Sequence, residues 1–129
     1  AGQVEAIRAA YSAMEGAGSL DAALDADVAF HRAVIRACNN RFMVALAGVS
    51  ETALRATVKL SVRRPGGLPH SLPQHAGVLF AIADGDAPRA RAAMEGLILD
   101  AQSDAVAVAR ARRRVRAPGS ASEGTRVEA

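Results

Sequence analysis

An all-α fold, an antiparallel bundle of about five to six helices, is what this sequence predicts, and three observations predict it. Half of the 129 residues are hydrophobic but only 3% are aromatic. Alanine, leucine and valine must therefore do the packing, which suits closely approaching helices better than strands that draw on β-branched and aromatic residues. Apolar residues recur at spacings of three and four over several long stretches, the period of one helix face. Short glycine, asparagine and proline clusters separate these stretches, so consecutive helices should be antiparallel neighbours. No stretch alternates convincingly as a strand, no internal repeat is visible, and the length fits one domain with a single core.

The first helix spans Gln3 to Glu15, with Val4, Ile7, Ala10, Tyr11 and Met14 at helical spacing, and Gly16 and Gly18 close it. Ser19 is an N-cap for a second helix running from Leu20 to about Cys38, whose apolar stripe passes through Leu24, Val28, Val34, Ile35 and Cys38. Asn39 and Asn40 interrupt it, because asparagine tolerates the left-handed conformation of a helix end. A third helix covers Arg41 to Val62, with Phe42, Leu46, Leu54 and Val58 along its apolar side and Glu51, Arg55 and Lys59 in an i to i+4 row. Arg63 to Pro69 is the main loop, rich in proline and glycine. Ser71 to Gln74 then matches a capping box, opening a helix that carries His75, Val78, Leu79 and Ile82. Asp84-Gly85-Asp86 separates it from a last helix, Ala87 to about Arg114, with Ala90, Met94, Leu97, Ala101, Asp104 and Val108 on one stripe. Residues 1–113 form the folded domain, and 114–129 are a disordered tail of low apolar content.

The net charge of +3 is local. Arg110, Arg112, Arg113, Arg114 and Arg116 lie together and Arg126 follows, whereas residues 1–109 hold ten basic and eleven acidic residues. That body lacks the concentrated basic face a nucleic-acid binder needs. The arginine run itself reads as a solvated helix end or a nonspecific phosphate contact. A single cysteine, Cys38, rules out an intrachain disulfide and fits a reducing compartment; on the buried stripe it reads as a packing residue. No run approaches the roughly 18 to 20 apolar residues of a membrane span, and no signal-peptide pattern opens the chain, so a cytoplasmic location is expected. The chain begins with Ala1, and an upstream portion is expected to be missing.

Asp27 and His31, four residues apart, fall within the stripe of the second helix, and His75 lies on the core side of the fourth. A carboxylate among aliphatic neighbours costs several kcal/mol unless something answers it. Two answers are open. One is a divalent transition metal such as zinc, nickel or manganese, held by carboxylate oxygen and neutral imidazole nitrogen. The other is a hydrogen-bonded aspartate–histidine pair without metal. His70, in the loop, reads as solvated.

The run Asp27-Val-Ala-Phe30-His31, Asn40, Gln74-His75 with Val78, Leu79, Ala81 and Ile82, then Gly85-Asp86, Ala90 and Met94, resembles the C-terminal effector domain of GntR-superfamily transcription regulators of the FadR type, the FCD domain. The similarity covers most of residues 1–105. It implies an all-helical bundle whose metal would be held by Asp27, His31 and His75. It also implies a small organic acid as effector, a homodimer, and DNA binding through a winged helix-turn-helix domain that this chain is expected to lack. Two positions depart from the pattern: Leu97 stands where the family has a fourth histidine ligand, and Gln74 replaces a glutamate. If the effector's charge needs a cation, Arg55, Lys59 and Arg63 are the candidates, with Asn40 as a further cavity residue. The rival function is a metal-dependent hydrolase or lyase acting on a small carboxylate. It would need a general base beside the metal, and no inward glutamate is left to serve, so the chain is read as no enzyme.

Overall fold

Five α-helices make up the regular structure in a computed structural model that describes residues 2–63 and 65–116, with residues 49, 50, 61–63 and 116 described by backbone alone. They are α1 (Gly2–Glu15), α2 (Leu20–Ala37), α3 (Arg41–Arg63), α4 (Gly67–Ala83) and α5 (Ala87–Arg116). Among the described residues no strand is present, and no helix is long and apolar enough to cross a membrane. The helix reaches Arg116, past the boundary expected after residue 113; residues 117–129, on which the rest of the expected tail falls, lie outside the described residues.

Local chemistry sets most of the boundaries. Ser19 is extended, and its hydroxyl oxygen accepts the Ala22 N–H at 3.1 Å, satisfying one of the free donors at the start of α2. Asn39 takes a left-handed φ of 51° just beyond α2, and Asn40 Oδ1 accepts the N–H groups of Phe42 and Met43 to open α3. One asparagine ends a helix and the other begins the next. Gly85, at φ 71°, turns the chain between α4 and α5, and Asp86 caps α5 by accepting the Arg89 N–H at 3.0 Å.

The start of α4 departs from expectation. Gly66, at φ 73°, supplies a left-handed entry and the helix begins at Gly67, so Pro69 falls in the first turn, where no N–H is missed. Ser71 is inside the helix and donates its hydroxyl to Leu68 O at 3.2 Å instead of capping. Pro73 is interior, which leaves the Pro69 carbonyl without its i+4 donor. Most of the expected loop is therefore helix, and His70 is a helical residue.

α1 packs on α2 and α4, α3 on α2, α4 and α5, and α4 on α5. α2 and α4 thus face one another across the interior, joined by side chains. The core is Ile7 and Met14 from α1, Ala26 and Phe30 from α2, Val78 and Leu79 from α4, and Leu97 from α5. A smaller cluster of Ala23 and Val58, flanked by Leu24 and Leu54, continues it toward α3. Each large side chain buried this way is worth about 1.5–3 kcal/mol.

Three residues expected inside lie outside. The buried face of α2 runs through Ala23, Ala26, Asp27, Val28 and Phe30, so Cys38 falls at its border and is exposed. Cys38 is thereby corrected from a packed core residue to a surface thiol, whose Sγ donates to Val34 O at 3.5 Å. Phe42 and Leu46, at 86% and 57% exposed, sit on the part of α3 that the other helices do not cover. The apolar period marks a helix face but not what covers it.

Candidate metal and ligand site

Asp27 and His31 stand one turn apart on α2, and His75 reaches them from α4. His31 Nε2 lies 3.2 Å, and His75 Nε2 3.5 Å, from the same oxygen, Asp27 Oδ1. The fully buried Phe30 ring wedges the group together, edge-on to His75 with centroids 4.9 Å apart and to His31 at 5.8 Å. Asp27 and His75 are buried and His31 is partly so.

His75 is fixed by its own helix. Its Nδ1 lies 2.8 Å from the carbonyl oxygen of Ser71, and a carbonyl can only accept, so Nδ1 carries a proton, and Nε2, which faces the carboxylate, presents a lone pair whenever the ring is neutral. In that neutral form two acceptors face each other in the core. Among the described residues neither Asp27 Oδ1 nor His75 Nε2 has a hydrogen-bond partner. Burial pushes the Asp27 carboxyl up, but hydrogen bonding and positive charge from the His31 and His75 rings in their protonated form outweigh it and hold the group at about 2. The carboxylate is thus kept ionised by positive charge at this spot, which a second proton on the His75 ring or, with the ring neutral, a cation between oxygen and nitrogen can supply. A divalent cation fits: one oxygen and two imidazole nitrogens all lie within 4.8 Å of one another, the second imidazole nitrogen being oriented by a backbone carbonyl as metal-bound histidines usually are.

The cluster forms one end of a cavity of about 390 Å³. Leu54 and Val58 of α3 and Leu97, Ala101 and Ala105 of α5 supply an apolar wall, while Thr57, Ser71, His70, Gln74, Asp100 and Asp104 add polar groups. Gln74 Nε2 donates to Asp100 Oδ2, and His70 Nε2 lies 3.3 Å from the same oxygen, so α4 and α5 are tied together beside the cavity. Volume and lining are those of a site for a small molecule.

A family model described as FCD domain matches residues 1–100. The chain belongs to the FCD domain family. No curated protein and no solved structure matched it. FCD domains are regulatory rather than catalytic, bind small-molecule effectors, are often metal-binding and usually sit in dimeric regulators.

The FCD domain of this chain brings together the three residues expected to act as one, Asp27, His31 and His75. It does not bring the expected effector-binding residues to the cavity. Arg55 Nη2 is 2.7 Å from Asp25 Oδ1 and serves to tie α3 to α2. Lys59 is exposed and does not line the cavity, and Asn40 is spent on capping α3. The side chain of Arg63 lies outside the described residues. Leu97 is buried in the cavity wall, so the position at which the resemblance implies a fourth ligand is apolar. His70, Gln74 and Asp100 were the residues sequence reasoning missed at the cavity. With α4 starting at Gly67, His70 and Gln74 fall one turn apart on one face, and Asp100 follows Leu97 by three on α5.

Proposed function

We propose that this FCD domain is the ligand-sensing and dimerisation part of a GntR-like transcription regulator, acting in the cytoplasm as a homodimer and governing a separate DNA-binding domain. In this reading Asp27, His31 and His75 hold a divalent transition metal, zinc, nickel or manganese, and the cavity takes a small organic acid. The carrying observation is the pair of buried atoms, Asp27 Oδ1 and His75 Nε2, set 3.5 Å apart with no proton donor between them. A buried acceptor left unmatched costs about 1–3 kcal/mol, and one cation relieves both.

A bound metal would supply the positive charge and open coordination positions that an effector carboxylate needs. The chain's own residues do the rest. Ser71 O holds the His75 ring in its tautomer, Phe30 sets the spacing of the imidazoles, and Leu97 keeps the adjoining wall free of a competing ligand. His70, Gln74 and Asp100 offer hydrogen bonds to the polar end of a bound molecule. The effector's charge is then met by the metal, with Arg55 left to its ion pair with Asp25.

The test is metal content by mass spectrometry on protein purified without an affinity metal, for wild type and His75→Ala. About one metal per chain in the wild type and none in the variant is expected; equal content in both removes the metal from the reading. Thermal shift against a panel of small carboxylic acids should show metal-dependent stabilisation without turnover. Conversion of a stabilising acid would point to an enzyme instead.

A further inference from the structure

We infer that the arginine-rich end of α5 contacts the phosphate backbone of double-stranded nucleic acid. This surface is separate from the cavity and does not depend on the metal. The arginines of the bundle are mostly paired: Arg8 with Glu5, Arg32 with Glu51, Arg55 with Asp25, Arg89 with Asp84 and Arg91 with Glu95. Arg36 and Arg41 have no such partner among the described residues, but they sit at the corner between α2 and α3 rather than in a run. Arg110, Arg112, Arg113 and Arg114 are different. They are consecutive or nearly so, all exposed, and without a carboxylate among the described residues.

Three features say what this end fits. No acidic residue follows Asp104 on α5, so nothing on the helix neutralises the run. From Ala109 onward every described side chain is exposed, so this end of the helix stands clear of the bundle. Helical spacing puts Arg110, Arg113 and Arg114 on one side and Arg112 on the opposite side. A helix about 10–12 Å across, charged on both sides, matches a major groove about 12 Å wide whose two walls are phosphate rails. A lipid surface would require charge on one face and a bulky apolar face opposite, whereas the intervening residues are Ala109, Ala111 and Val115. Guanidinium is also the group that grips phosphate in a two-pronged hydrogen bond. Complementing the helix dipole does not account for the run, since that effect fades within the last turn and Arg110 lies beyond it.

The experiment is fluorescence anisotropy of the full chain with a labelled double-stranded DNA of arbitrary sequence, from 50 to 200 mM salt. Four phosphate contacts give a log–log salt slope near −3.6, or about a hundredfold loss of affinity across that range. The variant with Arg110, Arg112, Arg113 and Arg114 all changed to glutamine should lose most of the binding and the slope. A charge-matched variant with Arg8, Arg32, Arg89 and Arg91 changed to glutamine should keep both. Equal weakening in the two variants would reduce the effect to net charge and overturn the proposal. So would no wild-type binding at 50 mM salt, or binding to phosphatidylserine vesicles in place of DNA. Circular dichroism of both variants confirms that the exposed substitutions leave the fold intact.

Discussion

Replacing Asp27 by asparagine gives opposite signs for metal-free and metal-bound stability, which makes it the sharpest probe of the cluster. The amide is nearly the same shape as the carboxylate, but one of its ends donates. With the His75 ring neutral, the amide N–H introduced by Asp27→Asn can answer the His75 Nε2 lone pair that now faces a carboxylate oxygen 3.5 Å away. Two unmatched buried atoms are thereby relieved, at about 1–3 kcal/mol each for a typical group. In the presence of a chelator, Asp27→Asn should therefore unfold about 1–3 kcal/mol later than wild type, roughly 3–10 °C for a chain of this size. Excess zinc reverses the order. At a hundred times Kd it stabilises the wild type by about 2.7 kcal/mol, whereas the variant, short of its only carboxylate ligand, gains little. Differential scanning fluorimetry with chelator and with zinc reads both arms. A variant that is less stable in chelator and responds to zinc like wild type would refute the reasoning.

The same carboxyl predicts an acid limb. Because positive charge on the neighbouring rings holds it at about 2, below its ordinary 3.8, the stability that this acid-side pairing contributes is present just above pH 3.8 and is lost as pH falls toward 2; urea midpoints between pH 4 and 2 should fall more steeply for wild type than for Asp27→Asn. Phe30→Ala removes a fully buried ring packed edge-on against both imidazoles and should cost about 3–5 kcal/mol by urea denaturation, a loss under 1 kcal/mol being incompatible with its place in the core. Asn40→Ala should cost about 1 kcal/mol through the lost cap of α3 while leaving zinc and carboxylate affinities unchanged by calorimetry; a fall in carboxylate affinity would return Asn40 to the effector site. Gly66→Ala forces a side chain into φ 73° and should lower stability by about 1–2 kcal/mol, with no change if α4 can be entered another way.

Much of the fold is legible where one face of a helix carries the core. Ile7 and Met14 on α1, and Met94, Leu97 and Ala101 on α5, lie at least partly inside, as their spacing says. Asp27, His31 and His75 could be paired from sequence because each interrupts an apolar stripe, and a charged interruption demands an answer. The start of α4 was not legible: Pro69 and Gly66 look the same whether they make a loop or a left-handed entry with proline in the first turn. That ambiguity hid His70 and Gln74, whose shared face exists only once the helix begins at Gly67. Arg55 was misplaced for a different reason, since its partner Asp25 is a tertiary neighbour that no local pattern reveals. Phe42 and Leu46 carry the right period, but nothing in a period says whether another helix lies against it.

His31 and His75 stand on helices far apart in the chain, and Cys38 has no second thiol with which to form a bridge. An ion held by both imidazoles would therefore act as a reversible staple, closing the loop from residue 31 to residue 75. A covalent link across a loop of that length removes unfolded-state freedom worth about 4 kcal/mol. Occupancy would then decide how firmly the two halves of the domain are fastened to each other.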